Sequence, residues 1–395
     1  MKTVLFLGAG ASAAQYCSEL RLREDLRNAH KKHEAFHPPI DGTFVDLAKQ
    51  QGVSEFPALT QYCERCGIPW ADAGMEQIFA QVYRNVRRNQ GDLGALEAWH
   101  SLVVTYRKLI TVSTNRLTLP KESDIPRLLD EIGWSRPGAS VSIVTTNHDL
   151  VIERCTGLFS SGQSLNAPRA VNYHCFALLS NGGSYECPAI DNTGTYAILK
   201  KHMPSLEAES PPPRKAAGAF NVPLIVKLHG SFDLWYLSHS CTDPTPTAAS
   251  PDEFVLYLGE HVPEVRGFVV EGNRFLHPLI LPPVPRKADL FPGFFRHFTR
   301  RLDDARSLLR ECHVLVVLGY SFPKADPEVT NAVFSAIENN TALRMVLVID
   351  LSCDPALKVL NSLGSSVCVV WKRTIDELVR DRNIGSELER ISRTN

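Results

Sequence analysis

The sequence has no apolar run that approaches the roughly 18 residues needed for a membrane span. It also has almost no net charge, because 42 Lys and Arg residues balance 43 Asp and Glu residues to give −1. Domains that bind nucleic acid mainly by electrostatics are usually strongly basic, so we expect neither a membrane nor a direct nucleic-acid partner. The chain contains no Gly-x-Ser-x-Gly elbow and no Gly-Lys-Ser/Thr phosphate loop, which excludes the hydrolases and ATPases that use those motifs.

Closely spaced cysteine pairs are scarce as well. The ten cysteines are spread from Cys17 to Cys368, which is typical of reduced thiols in a cytoplasmic protein. Cys63 and Cys66 form one Cys-x-x-Cys, but a structural zinc site usually needs a second such pair, so we expect no metal. The N-terminal segment has some features of a signal peptide, yet glycine interrupts its apolar run after Leu7 and favours a strand followed by a turn.

What the sequence does contain is a series of short, β-branched apolar runs, which are typical of buried parallel strands. They cover residues 3–7, 141–145, 224–228, 314–318, 345–349 and 366–370. Helical patterns cover residues 12–29, 74–89, 94–110, 294–310, 328–338 and 375–391. This alternation predicts an α/β fold with a Rossmann-like, mostly parallel sheet and helical insertions that form a smaller second module.

The spacing of the predicted strands suggests where the insertions lie. About 130 residues separate the first strand from the second, far more than one crossover helix needs. We therefore predict that residues 1–30 and 131–395 form the Rossmann domain and that residues 31–130 form the helical insertion module. Irregular insertions are expected near residues 156–221 and 233–276. Insertions between the strands of such a sheet commonly build the functional site.

The first candidate motif is Gly8-Ala9-Gly10-Ala11-Ser12-Ala13, which follows a predicted strand and opens a helix. It matches the G-x-G-x-x-A variant of the dinucleotide fingerprint, in which small residues let the backbone approach a pyrophosphate at a helix N-terminus. The alternative is a tight turn without a ligand. A dehydrogenase needs an acidic residue at the end of the next strand, roughly 20 residues later, and that region has a helical pattern instead.

Four further polar clusters follow predicted strands, where open α/β sheets bind their ligands. They are Thr145-Thr146-Asn147-His148-Asp149, Lys227-Leu228-His229-Gly230-Ser231, Gly319-Tyr320-Ser321-Phe322 and Ile349-Asp350. Histidine is well suited to accept a proton near neutral pH, and an Asp at a strand end is suited to binding ribose hydroxyls. Each cluster alone is also compatible with a turn that caps a helix, or with a buried polar side chain whose hydrogen bonds are made within the core.

In this order, the five clusters resemble the motifs of the sirtuin-like NAD-hydrolase family of bacterial antiphage defence systems. Residues 75–79, Met-Glu-Gln-Ile-Phe, resemble the helical segment that such proteins carry after the first motif. The resemblance covers the nucleotide-binding sheet and not the insertions. The four-cysteine zinc module and the Gly-Ile-Pro-Asp-Phe-Arg stretch of protein-deacylating sirtuins are missing. Their loss disfavours deacylation and leaves NAD+ cleavage intact.

The resemblance implies an NAD+ glycohydrolase that releases nicotinamide and ADP-ribose without a metal. It implies that Asn147 positions the water or the ribose and that His229 is the general base. The NAD+-binding residues that it implies are Gly8, Ala9, Gly10, Ala11, Ser12, Thr146, Asp149, Gly319, Ser321 and Asp350. Of these, Asp149 is assigned to the nicotinamide carboxamide, while Ser321 and Asp350 are assigned to the adenosine ribose. The proline-rich stretch 282–287 is interpreted first as a rigid loop, and its resemblance to a recurrent segment of the family makes Arg286 or Lys287 a candidate for a phosphate contact.

An unrestrained NAD+ hydrolase would harm its own cell, so we expect control through a homo-oligomer or a partner chain. The resemblance points to a HerA-type ring ATPase as that partner. Three alternatives stay open: a regulatory subunit that binds NAD+ or ADP-ribose without turnover, a protein deacylase or ADP-ribosyltransferase, and a nicotinamide oxidoreductase. The sequence leaves open the trigger, the oligomeric state, and whether the product is linear or cyclic ADP-ribose.

Overall fold

The computed structural model describes residues 1–71, 73–88, 92–134, 140–156, 170–173, 176–179, 185–186, 224–238, 254–256, 268–270, 274–281, 287, 292–363, 367–381, 386 and 390–391. Most of the two predicted insertions near residues 156–221 and 233–276 lies outside these ranges, and so does Arg286. Within them, no helix is long and apolar enough to cross a lipid bilayer.

The described strands form two sheets. The strands are β1 (Lys2–Leu7), β2 (Ser140–Thr145), β3 (Ala170–Tyr173), β4 (Phe176–Leu179), β5 (Tyr185–Glu186), β6 (Leu224–Lys227), β7 (Gly230–Ser238), β8 (Phe254–Leu256), β9 (Phe268–Val270), β10 (Arg274–Ile280), β11 (Val314–Leu318), β12 (Met345–Ile349) and β13 (Cys368–Lys372). The larger sheet has the order β13-β12-β11-β1-β2-β6-β3-β4-β5, and the smaller sheet has the order β8-β7-β10-β9.

The centre of the larger sheet consists of the six strands that the apolar runs predict. All neighbours from β13 to β3 are parallel, whereas β4 and β5 are antiparallel additions at one edge. Numbered along the chain, the six central strands have the spatial order 3-2-1-4-5-6, which is the order of the Rossmann fold. The predicted α/β, Rossmann-like, mostly parallel sheet is therefore confirmed. The smaller antiparallel sheet was not predicted.

The helices delimited in the described part of the chain are α1 (Ala9–Leu22), α2 (Glu24–Lys31), α3 (Phe44–Gln50), α4 (Phe56–Arg65), α5 (Met75–Arg88), α6 (Leu93–Asn115), α7 (Asp124–Glu131), α8 (Val151–Cys155), α9 (Pro292–Glu311), α10 (Pro327–Glu338), α11 (Asp354–Ser362) and α12 (Ile375–Arg380). Helices α3, α4 and α5 pack against α6. The division of the chain at residues 30 and 130 stays a prediction.

The prediction of one helix over residues 12–29 is wrong, because the chain is extended at Arg23 (φ −114°, ψ 121°) and separates α1 from α2. The Arg23 N–H donates to the Glu19 carbonyl, and its guanidinium contacts the Glu19 carboxylate at 2.9 Å. The side chain of Glu19 is fully buried, so this contact fixes the break. Helix α12 likewise ends earlier than predicted, at Arg380.

The parallel register aligns the carboxyl ends of the central strands. Leu7 at the end of β1 pairs with Thr145 of β2 on one side and with Leu318 of β11 on the other. Leu318 in turn pairs with Ile349 of β12. The polar clusters that follow these four strands therefore leave the sheet at one edge, as the sequence predicts.

Candidate active site

A cavity of about 530 Å³ lies at this edge and is lined by residues that follow β1 and β11, the two neighbouring strands at which the strand order reverses. Open α/β sheets bind their ligands at such a switch point. All the predicted site residues except Gly8 and Ala11 line the cavity. The structure thus brings together clusters that are far apart in the sequence.

The glycines of the first motif pack backbone to backbone against Gly319. The Gly8 N–H donates to the Leu318 carbonyl at 3.0 Å, and the Gly10 N–H donates to the Gly319 carbonyl at 3.1 Å. A Cβ on Gly319 would lie 2.4 Å from the Ala11 nitrogen, and its φ of +60° favours glycine. The close approach of two strand ends therefore requires these glycines, whether or not a phosphate binds there.

Helix α1 begins at Ala9, which is exposed and lines the cavity. The first N–H groups of a helix lack intrahelical partners, and here two of them are used by the protein. The Gly10 N–H donates to Gly319, and the Ala11 N–H donates to the Gly8 carbonyl at 2.9 Å. The Ala9 N–H, at the positive end of the helix dipole, is left as the backbone donor for an anion.

Ser12, Asn147 and Asp149 form a hydrogen-bonded network on the floor of the cavity. The Ser12 hydroxyl donates to Asp149 Oδ2 at 2.6 Å and accepts from Asn147 Nδ2 at 3.1 Å. Asp149 Oδ1 accepts the Val151 N–H at 3.0 Å, so both its oxygens are engaged by the protein. Asn147 Oδ1 is buried and accepts no hydrogen bond within the described residues. The network fixes the amide and leaves one oxygen for a ligand.

His229 is paired with a carboxylate that the sequence did not single out. Its Nε2 lies 2.8 Å from Asp326 Oδ2, and both side chains are almost completely buried. Asp326 also accepts a hydrogen bond from the buried Lys287 ammonium, which lies 3.6 Å from Glu328 Oε2. Burial alone would raise the pKa of Asp326, but His229 and Lys287 outweigh it and hold that pKa well below its usual range. Lys287 thus binds this carboxylate.

The second histidine of the site, His148, is in a different environment. The Tyr106 hydroxyl lies 2.9 Å from its Nδ1, and the imidazole is packed against Phe232. Burial, together with the neighbouring His229 and Lys227, lowers the pKa of His148 to about 3. His148 is therefore a neutral imidazole at physiological pH.

A buried ion pair supports the loop that carries Asn147. Lys227, at the end of β6, contacts Glu153 of α8 at 2.8 Å, and both side chains are inaccessible to solvent. The same ammonium donates to the Asp149 carbonyl. Two charges buried in this way stay favourable only while both partners are present. The pair therefore ties the polar cluster after β2 to the neighbouring strand.

Two acidic residues enter the cavity from the helical segment that precedes β2. Asp41 Oδ1 accepts the Glu76 N–H at 2.8 Å, which ties the start of α5 to the turn at residues 41–43. Both residues line the cavity. Burial, together with the nearby Asp41 and Asp326, raises the pKa of Glu76 to about 8, against the opposing effect of Lys287.

Ser321 and Asp350 also line the cavity, and their assignment to a ribose stays a prediction. Asp350 Oδ1 accepts the Ser352 N–H at 3.0 Å, and burial, together with Asp354, raises the pKa of this carboxyl. The carbonyl of Ser321 accepts from the Lys358 ammonium at 2.7 Å. Ser321 itself is exposed to solvent.

No group of three or more His, Cys, Asp or Glu side chains within the described ranges is arranged to hold a metal ion. Cys63 and Cys66 are free thiols.

Sequence analysis did not assign Asp326, Lys287, Tyr106 or Glu76 to a catalytic role. Asp326 comes directly before the proline that starts α10, which gave a weak signal of a helix cap and none of a histidine partner. Glu76 belongs to the segment 75–79 named above, but nothing in the sequence assigned a chemical role to it. Only the fold shows that it lines the cavity.

No family model matches the chain. No curated protein matches it either. Among solved structures, it is similar to a Sir2 homologue in complex with NAD, with 12% identity over 100% of this chain and 90% of that chain and a TM-score of 0.34. It is also similar to a structure described as the basis for the mechanism and regulation of Sir2 enzymes, with 12% identity over 100% and 94% of the two chains and a TM-score of 0.34. A Sir2 homologue mutant in complex with 2'-O-acetyl ADP ribose is 11% identical over 98% and 93%, with a TM-score of 0.35. The assignment of the fold rests on the strand order and not on these likenesses.

Proposed function

We propose that this protein is an NAD+ glycohydrolase that cleaves the bond between nicotinamide and ribose. The observation that carries this proposal is the single cavity at the switch point, which contains the Asn147 amide, the His229–Asp326 pair and the N-terminus of α1. Its volume of about 530 Å³ is within the usual range of ligand pockets. Nicotinamide leaves as a neutral molecule, so the site needs no acid to protonate it.

Asn147 is proposed to position the attacking water or the ribose. Ser12 holds its Nδ2, which directs the unpaired Oδ1 towards the ligand. Asp149 holds Ser12 in turn, so rotation of the amide would break its hydrogen bond to a hydroxyl that is itself fixed. The positioning of reactants in this way lowers the entropic part of the barrier. Asp149 is also proposed to meet the carboxamide through the remaining lone pairs of its oxygens.

His229 is proposed to be the general base. Asp326 Oδ2 lies 2.8 Å from Nε2, so this carboxylate favours a proton on that nitrogen and leaves Nδ1 to act as the acceptor. The same carboxylate stabilises the imidazolium that forms when Nδ1 takes a proton from water or from a ribose hydroxyl. The reaction consumes NAD+ and water and gives nicotinamide, ADP-ribose and one proton, which passes through His229 to solvent.

The remaining site residues are proposed to hold the rest of NAD+. The α1 N-terminus at Ala9 and Ser12 would face the pyrophosphate, while Ser321 and Asp350 would bind the adenosine ribose. Gly8, Gly10, Ala11, Thr146 and Gly319 would shape the wall between them, since their backbones pack on one another.

NAD+ turnover by the purified protein, with the products separated by chromatography, tests this proposal. We expect wild type to release nicotinamide and ADP-ribose, and Asn147→Ala and His229→Ala each to lose at least roughly a hundredfold in rate. Asn28→Ala, which changes an exposed residue of α2, is the matched control and should be fully active. Near-wild-type activity in either site variant would remove that residue from the mechanism. Binding without turnover would favour the regulatory subunit, and dependence on an acylated peptide would favour the deacylase.

The biological setting is proposed from the motifs alone. We propose an NAD+-depleting effector of antiphage defence in the cytoplasm, which acts as a homo-oligomer under the control of a HerA-type ATPase chain. Residues 31–130 are proposed to be a separate helical module. Native mass spectrometry of the protein, with and without the candidate ATPase, measures the oligomeric state and the partner together. A monomer whose NAD+ turnover is unchanged by the ATPase would contradict this setting.

A further inference from the structure

One ionisable side chain in the cavity has no role in the mechanism above. Glu76 is the second residue of α5 and lines the same cavity as Asn147 and His229. Its backbone is fixed by the hydrogen bond from the Glu76 N–H to Asp41. The helical segment therefore supplies a carboxyl group to the cavity from a backbone position that this hydrogen bond anchors.

The Glu76 carboxyl differs from the other acids of the cavity in having no partner. Asp149 is held by Ser12, and Asp326 is held by Lys287 and His229, whereas no hydrogen bond or ion pair involves the Glu76 carboxyl within the described residues. Burying an unpaired carboxylate is unfavourable, and such groups are found preferentially at functional sites. An isolated acid that faces a cavity is suited to receive a positively charged ligand.

We propose that Glu76 is a further catalytic residue, whose carboxylate contacts the nicotinamide ribose and stabilises the positive charge that develops there as the bond to nicotinamide breaks. This inference rests on the proposed function. The C1'–N bond breaks and its electron pair goes to the nicotinamide nitrogen, while the oxygen of water bonds to C1' and its proton goes to His229. Glu76 forms no covalent bond and takes no proton in this step. Carboxylates stabilise the positive charge of the oxocarbenium-like transition states of glycoside hydrolysis in the same way.

The charge state of Glu76 makes the proposal testable by pH. Since burial raises the pKa of Glu76 to about 8, the free protein has a mostly neutral acid at pH 6.5 and a mostly charged one at pH 9. A cationic ligand favours the charged form, so its affinity should rise with pH over this interval. Ligands of the same shape without the positive ring should not show this rise.

Other ionisable groups face Glu76, and the pH readout must be separated from them. They are Asp41 from the turn at residues 41–43, Asp326 before α10, Lys287, Tyr106 of α6 and Tyr320 after β11. His148 and His229 share the cavity. Asp326 stays ionised because its pKa is lowered, and burial raises the pKa of Tyr106 and Tyr320 above their ordinary range. The difference between wild type and Glu76→Gln isolates the contribution of Glu76.

The experiment compares the affinities for NAD+, NADH and ADP-ribose at pH 6.5 and pH 9 by calorimetry. It uses a His229→Ala background, so that the ligand is not consumed. The reduced nicotinamide ring of NADH is neutral, and ADP-ribose has no nicotinamide ring. We expect the ratio of NAD+ to NADH affinity to rise about tenfold for each unit by which NAD+ lowers the pKa of Glu76. Glu76→Gln should abolish the rise, and Glu97→Gln, the same change at an exposed residue of α6, should keep it.

Turnover and stability complete the test. With His229 intact, Glu76→Gln should lower kcat by about 10² to 10³, the usual effect of removing one preorganised electrostatic group. It should unfold at the same or higher urea concentration at pH 9, because it removes an unpaired buried charge. Glu76→Asp should keep the pH dependence with a reduced rate.

A Glu76→Gln variant that keeps the pH-dependent NAD+ preference or the wild-type kcat would overturn this inference alone. Absence of NAD+ and ADP-ribose binding in wild type would overturn the proposed function as well.

Discussion

Replacing Asp326 by asparagine separates the structural and catalytic contributions of the buried charge cluster. Asp326 lies 2.8 Å from His229 Nε2, accepts from Lys287 and is completely buried. Asparagine keeps the size of the side chain and removes its charge. Lys287 would then be a buried cation that has lost this carboxylate and keeps a contact with the partly exposed Glu328 at 3.6 Å.

The expected loss of stability follows from this geometry. Breaking a buried ion pair by removing one partner destabilises proteins by about 3–5 kcal/mol, because the other charge is left buried and uncompensated. The contact with Glu328 offsets part of that loss, so we expect about 3 kcal/mol for Asp326→Asn. Asp303→Asn is the matched control, since Asp303 pairs with Arg306 on the surface, and such pairs contribute about 0–1 kcal/mol.

Urea denaturation followed by circular dichroism measures the stability term, and NAD+ turnover measures the catalytic term. Adding Lys287→Met to Asp326→Asn removes the buried cation that has lost its Asp326 partner and should restore at least half of the lost stability. NAD+ turnover by the double variant should stay about 10² to 10⁴ times slower than that of wild type, because His229 still lacks the carboxylate that fixes its proton. A loss below 1 kcal/mol, or a double variant no more stable than Asp326→Asn, would refute the view that this cluster is held by charge pairing.

Two further predictions concern the backbone and the second histidine. Gly319→Ala should destabilise the protein by at least about 2 kcal/mol more than Gly52→Ala, because both glycines have positive φ but only Gly319 lies against the backbone of Gly10. Equal losses in urea would contradict that reading. The pKa of His148 is lowered to about 3 in the folded state, so below about pH 6.5 the unfolded chain binds a proton more readily than the folded protein. The free energy of unfolding therefore decreases as the pH is lowered through this range. Relative to His148→Gln, wild type should lose about 2 kcal/mol between pH 8 and pH 5, and parallel pH profiles of the two proteins would contradict this.

The central sheet was predictable because its strands are buried on both faces. Each of β11 and β12 is a run of five buried apolar residues, and such runs are visible in a sequence without knowledge of their neighbours. The edge strand β13 is only partly buried, and its position was predicted two residues too early. The break at Arg23 was not predictable, because it depends on contacts of one side chain and not on helical periodicity.

The residues of the site were predictable only where a polar side chain comes directly after the end of a strand. Asn147, His229 and Asp350 each come at or just beyond the end of a central strand, so the topology of the sheet brings them together. Asp326 and Glu76 do not, since they come from a loop before α10 and from the first turn of α5. Their approach depends on the packing of elements around the sheet. No pattern in the sequence around either residue encodes that packing.

The two histidines of the site show how the environment decides what a residue type can do. His148 and His229 follow neighbouring strands, and their ring centroids are 6.1 Å apart. Only His229 has a carboxylate that can stabilise an imidazolium. His148 has a tyrosine hydroxyl and aromatic neighbours, and a positive charge on His229 lowers its pKa further. The environments of the two imidazoles therefore differ, and the carboxylate of Asp326 beside His229 is the reason that we propose His229, and not His148, as the base.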